Sequence, residues 1–318
     1  MQMRMRIIPI MMEATLLKRM QSMKILLIIL VMSLTLPACS KLNDNTDSAD
    51  SDETLIVTSF YPIYVFTSNI AKDVPGVRVV NMTEPQTGCL HDYQLVPANL
   101  KTLEKAEIFV INGAGIESFL DKVISQLPKL TLVEGVKDIP LLKDGNGEEN
   151  PHVWVSVSGA ILEVQNITDG LVQADPANEA AYRKNSQAYI QRLEDLKTRM
   201  KVALQNVKTR DIVTFHEAFP YFAQEFDLSI VSVVEREPGS EPSAGELANT
   251  IEIIKQAGVK VLFAEPQYSQ KVAESIASQT GAKVYTLDPV VTGPKDAPLD
   301  SYEKTMEENL KVLIEALK

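Results

Sequence analysis

Between Asp175 and Val207 the chain reads DPANEAAYRKNSQAYIQRLEDLKTRMKVALQNV, and after Pro176 neither glycine nor proline interrupts it. Asp175 is a suitable N-cap residue, and Pro176 fits the first helical position, where its missing N–H costs nothing. Tyr182, Tyr189, Leu193, Leu196, Met200 and Val207 recur at three-four spacing, which puts them on one helical face. A helix of that extent spans roughly 48 Å, more than an ordinary crossover helix needs. It is either a long surface helix of one domain or a rigid strut joining two lobes. The flanking sequence favours the strut.

On both sides of it, short β-rich runs alternate with helical ones. Before it come strands at Leu55–Ser59, Val77–Met82, Ile108–Asn112 and Leu130–Glu134. The helices predicted among them are Tyr61–Lys72, Pro97–Ala106, Ile116–Gln126 and Ser158–Gln173. After it come strands at Asp211–Phe215, Ile230–Val234, Val259–Ala264 and Lys283–Leu287. Helices are predicted at Glu217–Phe226, from the Ser243-Ala244-Gly245-Glu246 capping box to Gln256, and at Ser269–Gln279 and Ser301–Leu317. The expected fold is α/β: two α/β lobes with mostly parallel sheets (residues 54–174 and 208–318) joined by one long rigid helix (175–207). No sequence repeat relates the two blocks.

The amino terminus differs in kind. Lys24 precedes the apolar run Ile25–Leu36, too short to span a bilayer and suited to the core of a signal peptide. Leu36-Pro37-Ala38-Cys39 resembles the lipobox of bacterial lipoproteins, which implies cleavage before Cys39 and its lipidation. Residues 1–38 are therefore read as a leader with an over-called start. Residues 39–53, polar and acidic, are read as a flexible tether. Of 31 lysines and arginines five lie in the leader, and of 42 acids one does, so the remainder carries −15. That charge argues against nucleic acid as a partner and suits a cationic solute. With Cys39 acylated, Cys89 has no disulfide partner.

The chain has only three histidines. His91 lies in the loop after Val77–Met82, His216 directly follows Asp211–Phe215, and His152 sits in a loop able to return to them. In open α/β sheets ligands bind beyond the carboxyl ends of strands. A site using all three would draw on both blocks. Asp288 ends the strand Lys283–Leu287 at an equivalent place. Three imidazoles and a carboxylate suit zinc; carboxylate-rich sets lean to manganese. Glu265, at another strand end, is placed to support a histidine from behind or to cap locally. Gly113-Ala114-Gly115 reads as a tight turn, since a phosphate-binding fingerprint is absent. Trp154 reads as core packing beside His152.

Five motifs together resemble one family: Gly88-Cys89-Leu90-His91-Asp92-Tyr93-Gln94-Leu95, Asn150-Pro151-His152-Val153-Trp154, Phe215-His216-Glu217-Ala218-Phe219-Pro220, Phe263-Ala264-Glu265-Pro266-Gln267-Tyr268 and Thr286-Leu287-Asp288-Pro289. This is the zinc/manganese solute-binding lipoprotein family of ABC importers, in its zinc-uptake branch, and the likeness runs from about Thr54 to Lys318. The resemblance implies a two-lobed fold bridged by one helix, with His91, His152 and His216 as zinc ligands. The fourth position would fall to Asp288, a water or another carboxylate. It also implies a monomeric receptor, anchored outside the cytoplasm through Cys39, that delivers Zn2+ to an ABC permease and its ATPase. Manganese binders carry a carboxylate where this chain has His216.

Two features depart from that pattern. The loop Asp138–Glu149 is short and has no histidine, unlike the long His/Asp-rich loop of many zinc-uptake members. Cys89 precedes His91 by two residues and reads first as a small buried filler; the sharper alternative is a thiolate near the metal, giving soft-metal affinity or an oxidation switch, and it is not counted among the ligands. The rival readings are a manganese or iron receptor, a zinc hydrolase and a surface adhesin. Three histidines with an open position also suit catalysis. His216-Glu217 begins like the H-E-x-x-H zinc-protease motif, but Pro220 stands where the later histidine would be.

Overall fold

The computed structural model describes residues 53–91, 93–143, 147–234, 242–266, 270–295 and 297–318. The leader, Cys39, the tether up to residue 52, and Asp92, Asp144, Pro238, Gly239, Gln267 and Tyr268 lie outside the described residues. All described residues belong to one compact unit, Asp52–Lys318.

Among the described residues eight strands form two four-stranded sheets. In the first, β1 (Thr54–Thr58), β2 (Val77–Asn81), β3 (Ile108–Ile111) and β4 (Thr131–Glu134) lie in the order β2-β1-β3-β4. In the second, β5 (Asp211–Thr214), β6 (Ser229–Val233), β7 (Val261–Ala264) and β8 (Lys283–Thr286) lie in the order β6-β5-β7-β8. Every pairing is parallel. The halves thus share one topology without a shared sequence pattern. The apolar runs of β3 (IFVI) and β7 (VLFA) are buried throughout, as strands covered on both faces must be.

Nine α-helices accompany these strands among the described residues: α1 (Tyr61–Ile70), α2 (Pro97–Leu103), α3 (Asp121–Ile124), α4 (Val157–Ala174), α5 (Glu179–Leu204), α6 (Pro220–Glu225), α7 (Ala244–Ala257), α8 (Gln270–Thr280) and α9 (Ser301–Ala316). The capping box at α7 is present: Ser243 Oγ accepts from Glu246 N, and Glu246 Oε2 accepts from Ser243 N. Gly258 closes that helix at φ 67°.

The long helix is shorter than the sequence implied. It has 26 residues, about 39 Å, because Pro176–Asn178 form a separate 3-10 turn. Asp175 does not cap the backbone. Its Oδ2 accepts instead from Asn178 Nδ2 and Tyr182 OH, both at 2.8 Å. At the other end the Arg210 guanidinium donates to Leu204 O and Gln205 O. The buried face of α5 (Tyr182, Ser186, Tyr189, Leu193, Leu196, Met200, Leu204) packs on α4, α1 and α9. It belongs to a core that runs without a break from Ile56 and Phe66 in the first half to Phe219, Phe222 and Met306 in the second.

The helix expected over Ile116–Gln126 is a second difference. It is a 3-10 turn at Ser118–Leu120 followed by the single turn α3. Gly113, Ala114 and Gly115 all take positive φ (94°, 52° and 80°), and the Glu117 carboxylate folds back to accept from Asn112 N (2.8 Å) and Gly113 N (3.0 Å). The donors of this tight turn, which in a phosphate loop would face an anion from solution, are taken by Glu117.

Glu163 on α4 is fully buried, and neither of its carboxylate oxygens has a hydrogen-bond partner among the described residues. Burial pushes its carboxyl well above the usual 4.5, and the nearby Glu117, itself pushed up to about 7 by burial, adds to that. The folded chain therefore holds a proton there that the unfolded chain releases once pH passes about 4.5. Stability falls as pH rises through that window. Glu163→Gln keeps the shape without the charge. It is expected to raise the urea midpoint at pH 8, with the difference closing toward pH 4.5. Equal midpoints at pH 8 would contradict a protonated Glu163.

Candidate metal site

The three histidines meet at the carboxyl-terminal edges of the two sheets. Each arrives by a different local device. His91 lies in the loop from β2 to α2. Asn99 braces that loop: its Nδ2 donates to Met82 O (2.8 Å), and its Oδ1 accepts from Val96 N and Tyr93 OH. Leu90, fully buried, anchors the same loop in the main core between Cys89 and His91. His152 precedes a 3-10 turn, Val153–Val155, that leads into α4. His216 follows β5 directly, after Phe215.

Cys89 Sγ, His91, His152 and His216 each offer one ligand atom, and these atoms all lie within 4.8 Å of one another. His152 Nε2 is 3.2 Å from His91 Nε2 and 3.4 Å from Cys89 Sγ. The His152 and His216 rings stand at 89° with centroids 4.6 Å apart, and the His91 and His216 rings at 89° and 5.8 Å. Tetrahedral bonds of about 2.0–2.3 Å place ligand atoms roughly 3.3–3.8 Å apart. The His152–His91 and His152–Cys89 separations are close to edges of a zinc tetrahedron, and the remaining ligand atoms lie within 4.8 Å.

The groups behind the rings fix their orientation. Asn150 Oδ1 accepts from both His152 N and His152 Nδ1 at 3.0 Å, and Asn150 Nδ2 donates to Glu217 O at 2.7 Å. The His152 proton is thereby held on Nδ1, and Nε2 is left to bind a cation. Tyr221 OH, on α6, donates to Asn150 O (2.7 Å) and accepts from Leu142 N (2.9 Å). Asn150 thus locks a first-half histidine to the segment carrying His216. Behind His216 stands Glu265, its Oε2 at 3.4 Å from His216 Nδ1, both side chains buried. Of the two readings of Glu265 from its position in the chain, support of a histidine or local capping, this contact is the geometry the first requires. Trp154 packs its ring 5.1 Å from that of His152, fully buried, as expected.

Electrostatics suit a cation. Burial, then the neighbouring His216, pushes His91 down to about 4. Burial, then His216 and His91, pushes His152 well below 6.5. Both rings are neutral at pH 7, the state that coordinates a metal. A cavity of about 420 Å³ opens onto His91 and His152, bordered by Glu148, Glu149 and Glu217.

Asp288 does not join the four-membered group. It lies at the end of β8 as expected, but its Oδ1 accepts from Val290 N at 2.7 Å. Burial pushes its carboxyl up to about 6, partly offset by that bond and reinforced by Glu265. Asn150 is visible in the sequence only as a motif letter. Two residues before His152, the Asn150 side chain reaches forward to both the histidine's N–H and its ring. Cys89 carries the clearer signal, two residues from His91 in a loop beyond a strand, although a lone cysteine reads first as packing.

The fold and this cluster define a two-sheet α/β protein that gathers three imidazoles from both halves of its chain at one point, where they could hold a metal ion. Residues 56–316 match the family described as zinc-uptake complex component A, periplasmic, and the chain belongs to it. The high-affinity zinc uptake system protein ZnuA of Bacillus subtilis (strain 168) is 33% identical over 316 residues, covering 92% of this chain and 97% of that protein. The zinc-binding lipoprotein AdcA of Streptococcus pneumoniae (strain ATCC BAA-255 / R6) is 31% identical over 308 residues, but the chain spans only 60% of AdcA. Among solved structures, the solute-binding protein FpvC of Pseudomonas aeruginosa in complex with Mn2+ superposes with a TM-score of 0.76 at 30% identity, covering 83% of this chain and 98% of FpvC. The Zn(II)-bound ZnuA-like domain of S. pneumoniae AdcA gives 0.71 at 30% identity, covering 83% and 99%.

Proposed function

We propose that this protein is an extracytoplasmic receptor that captures Zn2+ between its two α/β halves and presents it to an ABC permease driven by its ATPase. The observation that carries this reading is the convergence of His91, His152 and His216, two of them backed by buried partners that leave Nε2 facing inward. Zinc is cargo, and no bond in it is made or broken. The family assignment and the names of the relatives support the same reading. Residues 54–174 and 208–318 act as the two metal-holding lobes and α5 as the element between them, with the receptor working as a monomer. No helix among the described residues is long and apolar enough to cross a membrane. Attachment is assigned to a lipid on Cys39, on the strength of Leu36-Pro37-Ala38-Cys39.

A hydrolase reading is weakened at the residue level, since Pro220 opens α6 where H-E-x-x-H needs its second histidine. The test is metal titration by calorimetry on protein extracted from membranes, whose intact mass also reports the first residue. Tight one-to-one zinc binding, manganese weaker, and a chain starting at acylated Cys39 support the reading. Tight manganese with weak zinc moves the cargo to the other metal, as in the FpvC complex. A mass showing any other start removes the anchor.

A further inference from the structure

The fourth bond to the cargo, which the family resemblance would give to Asp288, a water or another carboxylate, has a further claimant inside the cluster itself. We propose that the Cys89 thiolate, not the Asp288 carboxylate, supplies it, so that Zn2+ is held by one thiolate and three imidazoles, with the sulfur discriminating against manganese. This rests on the zinc-receptor reading and assigns one more residue to its site.

Cys89 Sγ sits 3.4 Å from His152 Nε2, and its ligand atom belongs with those of the three histidines to one group within 4.8 Å. The Sγ···Nε2 distance equals, within a few tenths of an ångström, the edge expected between sulfur and nitrogen on a shared zinc, roughly 3.5 Å. Its placement is built into the loop. Leu90 is sunk in the core with 0% exposure, and Gly88 at φ 84° turns the chain just before Cys89. The two side chains flanking Leu90 are thereby both delivered to the cluster. Asp288, by contrast, spends Oδ1 on Val290 N, and both its backbone N and O are held by Asn309.

Charge balance agrees. Imidazole ligands bring no negative charge to a divalent cation in a largely buried site, and uncompensated buried charge is expensive. Glu265 is engaged with His216 Nδ1, behind the ring. A thiolate in the coordination shell removes one unit of that charge. As the Zn–S bond forms, the thiol proton leaves to solvent. Sulfur ligands favour zinc and softer ions over manganese, which prefers oxygen.

The experiment is cobalt(II) substitution followed by absorption, on the wild-type protein and on Cys89→Ser. Wild type is expected to show the intense visible bands of tetrahedral cobalt and a near-ultraviolet sulfur-to-cobalt charge-transfer band. Cys89→Ser is expected to keep one-to-one cobalt binding, lose the near-ultraviolet band, and bind zinc at least about tenfold more weakly. Tenfold is the lower end of what groups behind the ligands are worth. Its manganese affinity is expected to change less than its zinc affinity. Cys39 is unchanged in that variant, so loss of the band belongs to Cys89. Wild-type cobalt binding without a sulfur band, or Cys89→Ser with unaltered zinc affinity and Asp288→Asn weakened, would overturn the assignment and leave the receptor intact. Absence of one-to-one binding by cobalt and zinc alike would overturn the receptor reading itself.

Discussion

His152→Ala is expected to weaken zinc binding at least about 100-fold, more than removal of any group behind the ligands, which costs 10–100-fold. His152 is the hub of the cluster, with its Nε2 3.2 Å from His91 Nε2 and 3.4 Å from Cys89 Sγ. Removing the ring deletes one metal bond and also strips Asn150 Oδ1 of its ring partner in a buried place. Asn150→Ala separates these effects. It leaves every ligand in the chain but frees the His152 tautomer and breaks the bond to Glu217 O that ties the two halves at the site. Its expected loss is therefore within the 10–100-fold range. Competition calorimetry at pH 7.5 reads both. A His152→Ala protein holding zinc within threefold of wild type would show that the convergence of rings is packing and not a binding site.

How much of this was legible beforehand follows from the range of each interaction. Strand positions were readable to within one or two residues, because buried parallel strands are short apolar runs bounded by turn residues. The α7 capping box and Gly258 were readable because caps are local. The ends of α5 were not. Asp175 looks like a cap until Tyr182 and Asn178 are placed beside its carboxylate, and nothing in the spacing says which donor wins. The stretch Ile116–Gln126 failed for a similar reason: Glu117 serves the turn before it instead of a helix after it. At the candidate site, strand-end and loop positions pointed to His91, His152 and His216, which the fold brings into one cluster, and to Asp288, which it leaves outside that cluster. That Cys89 lies in the cluster and Asp288 does not needed three dimensions. Whether a side chain at a strand end points to the ligand or to a backbone N–H two residues on is decided by the turn it sits in.

Trp154→Ala is expected to be the most destabilising single change in the protein. Truncating a buried Trp costs about 3–5 kcal/mol through lost contacts and the cavity left behind. Several features place Trp154 at the upper end. It is fully buried, stands edge-on to Phe60 with centroids 5.1 Å apart, and packs on the His152 ring. Its Nε1 donates to Pro289 O at 2.9 Å, so truncation leaves a second-half carbonyl without that donor. Its own carbonyl accepts from Tyr302 OH, on α9. The residue thus joins the loop after β8, the C-terminal helix and the first-half core at a single point. A loss near 5 kcal/mol is comparable with the whole stability of many domains, which runs from about 5 to 15 kcal/mol. Zinc at 1,000 times Kd contributes about 4 kcal/mol to the folded state. The variant is therefore expected to be marginal without metal and largely recovered by excess zinc. Because Trp154 is the only tryptophan, unfolding has to be followed by circular dichroism rather than fluorescence. Trp154→Phe, which keeps a ring but no donor, separates packing from the Pro289 bond. A shift below about 1 kcal/mol for Trp154→Ala, the range of ordinary surface changes, would mean that the two halves are held together elsewhere along α4, α5 and α9.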